Sequence, residues 1–144
     1  MSEIHEGGCV CGAVRYRTSA EPHRVTLCAC TWCQRRTGSA IGISVYFDKS
    51  AVAFLQGERK TYRLISDAGR WLESEFCVVC GTTVTWTLEL WPDWRGIAGG
   101  TFDQPSFWYR PQRLVFARTL PPWLHLPKDV ETFEALQPGI GPPR

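Results

Sequence analysis

Residues 71–88 read Trp71-Leu72-Glu73-Ser74-Glu75-Phe76-Cys77-Val78-Val79-Cys80-Gly81-Thr82-Thr83-Val84-Thr85-Trp86-Thr87-Leu88. On either side of Cys77-x-x-Cys80-Gly81 the chain alternates with a period of two, the pattern of a half-buried strand. The C-x-x-C closes a tight turn between the two strands, with Gly81 letting the backbone fold back, so the turn is a ready-made pair of metal ligands.

The same period recurs outward from this segment. Ile41, Ile43, Val45 and Phe47 fall on alternate positions, Val25-Thr26-Leu27 reads as a strand delivering Cys28, and residues 13–17 read as a strand leaving the turn Gly7-Gly8-Cys9-Val10-Cys11-Gly12. Shorter candidates lie at 52–55, 60–64, 96–100 and 114–117, separated by Gly, Pro, Asp and Ser. The expected fold class is mainly antiparallel β with short helices. One brief helix is predicted at 31–37, stopping at Gly38, and a second at 129–136 with Asp129 as its cap. Trp91-Pro92-Asp93-Trp94 reads as turn-like, and Pro138-Gly139-Ile140-Gly141-Pro142-Pro143 reads as a loose tail.

Composition narrows the function classes. A chain of 144 residues, 44% hydrophobic, without an internal repeat or a long linker, is expected to form a single domain over 1–144, its motifs lying within about 7–126 and its tail at 127–144. Seven Trp and seven Phe offer bulk for a core or pocket, and a single Met argues against a Met-lined promiscuous groove. Sixteen basic against fourteen acidic residues leave a formal charge of +2 with no like-charge run, which counts against a nucleic-acid binder built as a zinc ribbon. No segment reads as a secretory signal or membrane span, so a cytoplasmic location and no membrane partner are expected. In a reducing compartment, closely spaced cysteines are metal ligands before they are disulfides.

All seven cysteines belong to three groups: Cys9-x-Cys11, Cys28-x-Cys30-x-x-Cys33 and Cys77-x-x-Cys80. In extended chain, residues i and i+2 point the same way, so C-x-C aims two sulfurs at one ion as C-x-x-C does around a turn. The triplet is contiguous enough to serve one ion alone. That leaves Cys9, Cys11, Cys77 and Cys80 for a closed site tying the N-terminal region to the middle of the chain. Two zinc ions are therefore expected, a structural one with four thiolates and a catalytic one with three and a free position. The alternative is that both are structural, a histidine or an acid completing the second. An incoming thiolate would raise the charge on the open site to −2, and Arg35 and Arg36, directly after Cys33, are candidate counter-charges or carboxylate clamps, with Trp32 beside them at the entrance. For His5, His23 and His125 a surface or packing role is expected rather than ligation.

Taken together, G-G-C-x-C-G at 7–12, C-x-C-x-x-C at 28–33 with Gly38 beyond it, and F-C-x-x-C-G-T at 76–82 resemble the glutathione-dependent formaldehyde-activating enzyme family, as do Gly100-Thr101-Phe102-Asp103 and Pro121-Pro122-Trp123-Leu124. The resemblance implies a zinc-stabilised β-tent fold, a structural ion on Cys9, Cys11, Cys77 and Cys80, and a catalytic ion on Cys28, Cys30 and Cys33. It further implies carbon–sulfur lyase chemistry on glutathione or another small thiol and its aldehyde adduct, S-hydroxymethylglutathione being the type. Where relatives carry a histidine after P-x-R, this chain has Leu114. The competing expectation is a non-catalytic zinc-stabilised protein-binding module using Trp86, Trp91, Trp94, Trp108 and Trp123, of which Trp91 and Trp94 are the best candidates for exposure. Asp103 is expected to cap a turn.

Overall fold

The computed structural model describes residues 3–136. Its strands are β1 (His5–Gly8), β2 (Arg15–Thr18), β3 (Arg24–Cys28), β4 (Gly42–Asp48), β5 (Val52–Gln56), β6 (Arg59–Ile65), β7 (Trp71–Cys77), β8 (Thr83–Leu88), β9 (Trp91–Ala98), β10 (Arg113–Val115) and β11 (Glu131–Thr132), with one α-helix, α1 (Thr31–Thr37). The protein is mainly β, as the alternating sequence predicts.

Two sheets account for these strands. The smaller has the order β1-β2-β5 and the larger β11-β10-β3-β4-β9-β8-β7-β6. The reason they pack is visible in β4: Val45 and Phe47 are fully buried and join Val25 of β3 and Ile97 of β9 in a core that also takes Tyr16 from the smaller sheet and Val14 just before it. Phe102 closes that core, packing edge-on against Tyr16 and Phe47. A second cluster gathers Leu27, Ala29, Leu114 and Val130 under the far edge of the larger sheet. Alternation then sends Thr26, Cys28, Ser44 and Tyr46 to the sheet face opposite the main core.

The pairing is mainly antiparallel as expected, with β10 running parallel to both β3 and β11. Two expectations change. The helix expected at 129–136 is absent: Glu131 and Thr132 pair with Arg113 and Leu114, and Val130 is buried, so tertiary pairing overrides the local helix signal. Residues 91–94 are the start of β9 rather than a turn; Trp91 packs edge-on against Tyr46 at 5.2 Å and Trp94 stacks on His23 at 4.9 Å, which holds the segment extended despite Pro92. The tail at 138–143 lies outside the described residues. No helix of the described residues is long and apolar enough to cross a membrane.

Candidate metal centres

Cys9 and Cys11 lie in the turn between β1 and β2; Cys77 ends β7, and Cys80 sits in the turn before β8. Their four sulfurs all lie within 4.8 Å of one another. Cys9 and Cys11 Sγ are 3.5 Å apart, and Cys11 and Cys77 Sγ 3.8 Å. Thiolates at about 2.3 Å from a shared tetrahedral ion would be separated by about 3.8 Å, so the donor set fits a zinc-sized cation. Backbone N–H groups already point at the sulfurs, from Val14 to Cys9 at 3.2 Å and from Val79 to Cys77 at 3.3 Å. Thr82 Oγ1, 3.1 Å from Cys80 Sγ, hydrogen-bonds that thiol and holds it down to about 5, well below an ordinary cysteine. Thr82 also accepts from the Val10 N–H at 3.3 Å, binding the two halves of the cluster together.

The second cluster is local in sequence. β3 delivers Cys28, Cys30 is the N-cap of α1, and Cys33 lies in its first turn, accounting for the C-x-C-x-x-C spacing. The Cys33 N–H donates to Cys30 Sγ at 3.3 Å, and the three sulfurs lie within 4.8 Å of one another. Hydrogen bonds from Cys28 and Cys33 pull Cys30 down to about 3, while the same contact with Cys30 pushes Cys28 far up. Three sulfurs this close make a soft donor set for a cation. Among the described residues no histidine or carboxylate joins it. Each cluster can hold a metal ion, one with four sulfurs and one with three.

What surrounds the triplet was only partly legible in the sequence. A methyl at Gly42, in register with Cys28, would stand 3.0 Å from Arg36 Nη2 and 3.6 Å from Cys33 Sγ, so the arginine and the sulfur meet over a bare glycine. The Arg36 guanidinium lies 4.2 Å from the centre of the Trp86 ring, a cation–π contact on a buried indole. Trp86 in turn fits flat over Gly96, where a methyl would approach its Nε1 to 2.3 Å, and that N–H donates to the Tyr46 hydroxyl at 3.4 Å. Burial pushes the Tyr46 phenol up to about 12, a value to which the nearby Cys33 and Cys28 also contribute. Arg36 is therefore beside the cluster, whereas Arg35 and Trp32 lie exposed on α1. Sequence reasoning missed Tyr46; the signal available was its place four residues beyond Gly42 on the same strand face.

The remaining aromatics do not form an exposed patch. Trp86 is buried, Trp91, Trp94 and Trp108 are half-buried, and Trp123 alone of the five is well exposed, at 72%, on a groove of ≈760 Å³ lined also by Gln34, Ile41 and Thr119. His5 stacks on Trp108 at 3.6 Å, and His23 pairs with Asp48 at 2.9 Å. Asp103 pairs with Arg15, whose guanidinium holds its carboxyl below the usual carboxylate range.

The family model for the glutathione-dependent formaldehyde-activating enzyme matches residues 4–119, a span that contains all seven cysteines and the whole of the triplet's surroundings. The chain belongs to this family. Leu114, in place of the histidine that the resemblance leads one to expect, is 1% exposed and packs in the second core cluster. The crystal structure of a Rhodobacter sphaeroides protein shares its fold with a TM-score of 0.55 at 20% identity, covering 74% of this chain and 97% of that one. A comparison with curated proteins returns no match.

Proposed function

We propose that this protein is a zinc-dependent carbon–sulfur lyase acting on glutathione or another small thiol and its aldehyde adduct. The observation that carries the reading is the unequal sharing of sulfur, four donors in one cluster and three in the other with no further histidine or carboxylate among the described residues. In this reading Cys9, Cys11, Cys77 and Cys80 hold a structural zinc, and Cys28, Cys30 and Cys33 hold a catalytic one. When bound there, zinc supplies Lewis acidity and a position at which a thiol ionises near neutral pH.

The chain's own residues supply the rest. Cys30, as N-cap of α1, fixes the triplet against the helix, and the Cys33 N–H offsets part of its charge. Arg36, held over Trp86 and beside Cys33, offers the counter-charge that a fourth thiolate requires. In the synthetic direction the substrate sulfur attacks the aldehyde carbon, a C–S bond forms, the carbonyl π pair moves to oxygen, and that oxygen takes up a proton from solvent. The lyase direction reverses each step. Arg35 and Trp32, on the exposed side of α1, are left with the outer part of the thiol substrate.

Metal content and thiol binding test the reading. The purified chain is expected to bind two zinc ions, and Cys30→Ser one. Substituting cobalt into the three-sulfur site should give a visible spectrum that shifts when glutathione is added. Two bound metals, neither perturbed by glutathione nor by its formaldehyde adduct, would overturn it.

A further inference from the structure

The face of β3 and β4 that carries the triplet continues past it. The register Cys28↔Gly42, Thr26↔Ser44, Arg24↔Tyr46 lines up, in order from the sulfurs, a bare glycine, two facing hydroxyls and a phenol. Val25, Val45 and Phe47 point to the opposite side, into the core. Thr26, Ser44 and Tyr46 are 7%, 6% and 7% exposed, so this is a buried polar strip on a sheet whose other buried residues are mostly apolar.

Thr26 Oγ1 has no hydrogen-bond partner among the described residues. A hydroxyl buried without a partner destabilises the fold, and valine would fill the same space without that cost. Tyr46 is oriented as well. Trp86 Nε1 is only a donor, so the phenol oxygen accepts from it and the Tyr46 proton remains for another acceptor. Thr26 stands two residues, about 6.7 Å of strand, from Cys28. In a thiol–aldehyde adduct the oxygen is one carbon removed from the sulfur, so a group that binds this oxygen must lie close to the atoms that hold the sulfur.

We propose that Thr26, Ser44 and Tyr46 form an oxygen subsite beside the triplet, which receives by hydrogen bonds the hydroxyl oxygen of a thiol–aldehyde adduct. The hydroxyls orient and stabilise that oxygen and lose no proton to it. Thr26 and Tyr46 are the donors, and the missing side chain at Gly42 is what lets Arg36 Nη2 and Cys33 Sγ approach the strand between the sulfurs and the strip. This rests on the thiol reading above and adds to it the part of the substrate that distinguishes an adduct from a plain thioether.

The test uses the full zinc-loaded chain and two probes: glutathione saturated with formaldehyde, which presents S-hydroxymethylglutathione, and S-ethylglutathione, in which a methyl replaces the hydroxyl. Calorimetry should find the hydroxymethyl probe bound at least about fivefold more tightly by wild type, the worth of a buried hydrogen bond. Thr26→Val should bring the two probes to within about twofold while its Tm rises, because the orphaned hydroxyl is gone. Tyr46→Phe should reduce the preference too. Equal binding of the probes by wild type, a preference kept in Thr26→Val, or a lowered Tm in that variant would each overturn the subsite. Glutathione failing to bind zinc-loaded wild type would bring down the thiol reading and the subsite together; normal glutathione binding without discrimination removes the subsite alone.

Discussion

Gly96 shows how a single missing side chain shapes the triplet's surroundings. Trp86 lies against it so closely that a methyl would meet the indole nitrogen at 2.3 Å, with the ring rather than a flexible tip in the way. Gly96→Ala should therefore displace Trp86, release Arg36 and Tyr46 from it, and cost roughly 2 kcal/mol, measurable by denaturant unfolding and by a red shift of tryptophan emission. Arg36 is open to a complementary test. Arg36→Ala should weaken glutathione binding about tenfold, or ~1.4 kcal/mol, with Arg36→Lys recovering only part because lysine keeps charge but not the planar stack on Trp86. A titration of each variant with glutathione decides it. Arginines after Cys33 were a legible sequence signal; which of the two would turn inward was not, since that depends on Trp86, fifty residues further along the chain.

At the level of elements, β7 is braced by charge. Glu75 accepts from Arg59 Nε of β6 at 2.9 Å and from Arg95 Nη1 of β9 at 2.5 Å, and its side chain is 14% exposed. Burial alone would push this carboxyl up, but the two arginines more than offset it and hold it below the ordinary carboxylate range. The unfolded chain therefore takes up this proton more readily than the folded one. The contribution to stability is complete above the unfolded value of about 4.3 and is lost as pH falls through the depressed folded value. Glu75→Gln should cost about 2 kcal/mol near neutrality, and the gap between its Tm and that of wild type should close as the pH is lowered toward 3. The strands themselves were readable wherever alternation was strong, as in β4, β7 and β8. β1 was not, because His5-Glu6-Gly7-Gly8 carries no apolar alternation and is held by its pairing with β2 and by the bridge from Gly7 to Phe102. Short β11 was misread as helix for a similar reason: only its long-range partner β10 makes it a strand. α1 was legible from its N-terminal cysteines and Gly38, which adopts φ 65° at the cap. Its anchoring was not, since Gln34 Nε2 reaches the Ala40 carbonyl at 3.2 Å and the Thr119 carbonyl at 2.9 Å. Gln34→Ala should lower Tm by a few degrees, the loss of about 1 kcal/mol, while leaving the cysteine spacing intact.

Across the whole molecule, the two clusters stand in different relations to folding. The four-sulfur set joins positions 66 residues apart, Cys11 and Cys77, where the smaller sheet meets the larger. Chelation or Cys77→Ser should therefore broaden or abolish the cooperative thermal transition, whereas Cys30→Ser should leave near-native circular dichroism and lose thiol binding. The division of seven sulfurs was open to sequence reading because each pair or triplet is local. The hydroxyl strip was not read, for it exists only once β3 and β4 lie side by side. That difference in reach also sets a timetable during synthesis. The triplet is complete as soon as residue 33 leaves the ribosome, but the quartet waits for residue 80, so a nascent chain can take up metal first at the local set of three and only later at the set that clasps the two sheets together. Cells short of such a metal would thus accumulate chains that are loaded early, fastened late, and exposed to proteases in the interval.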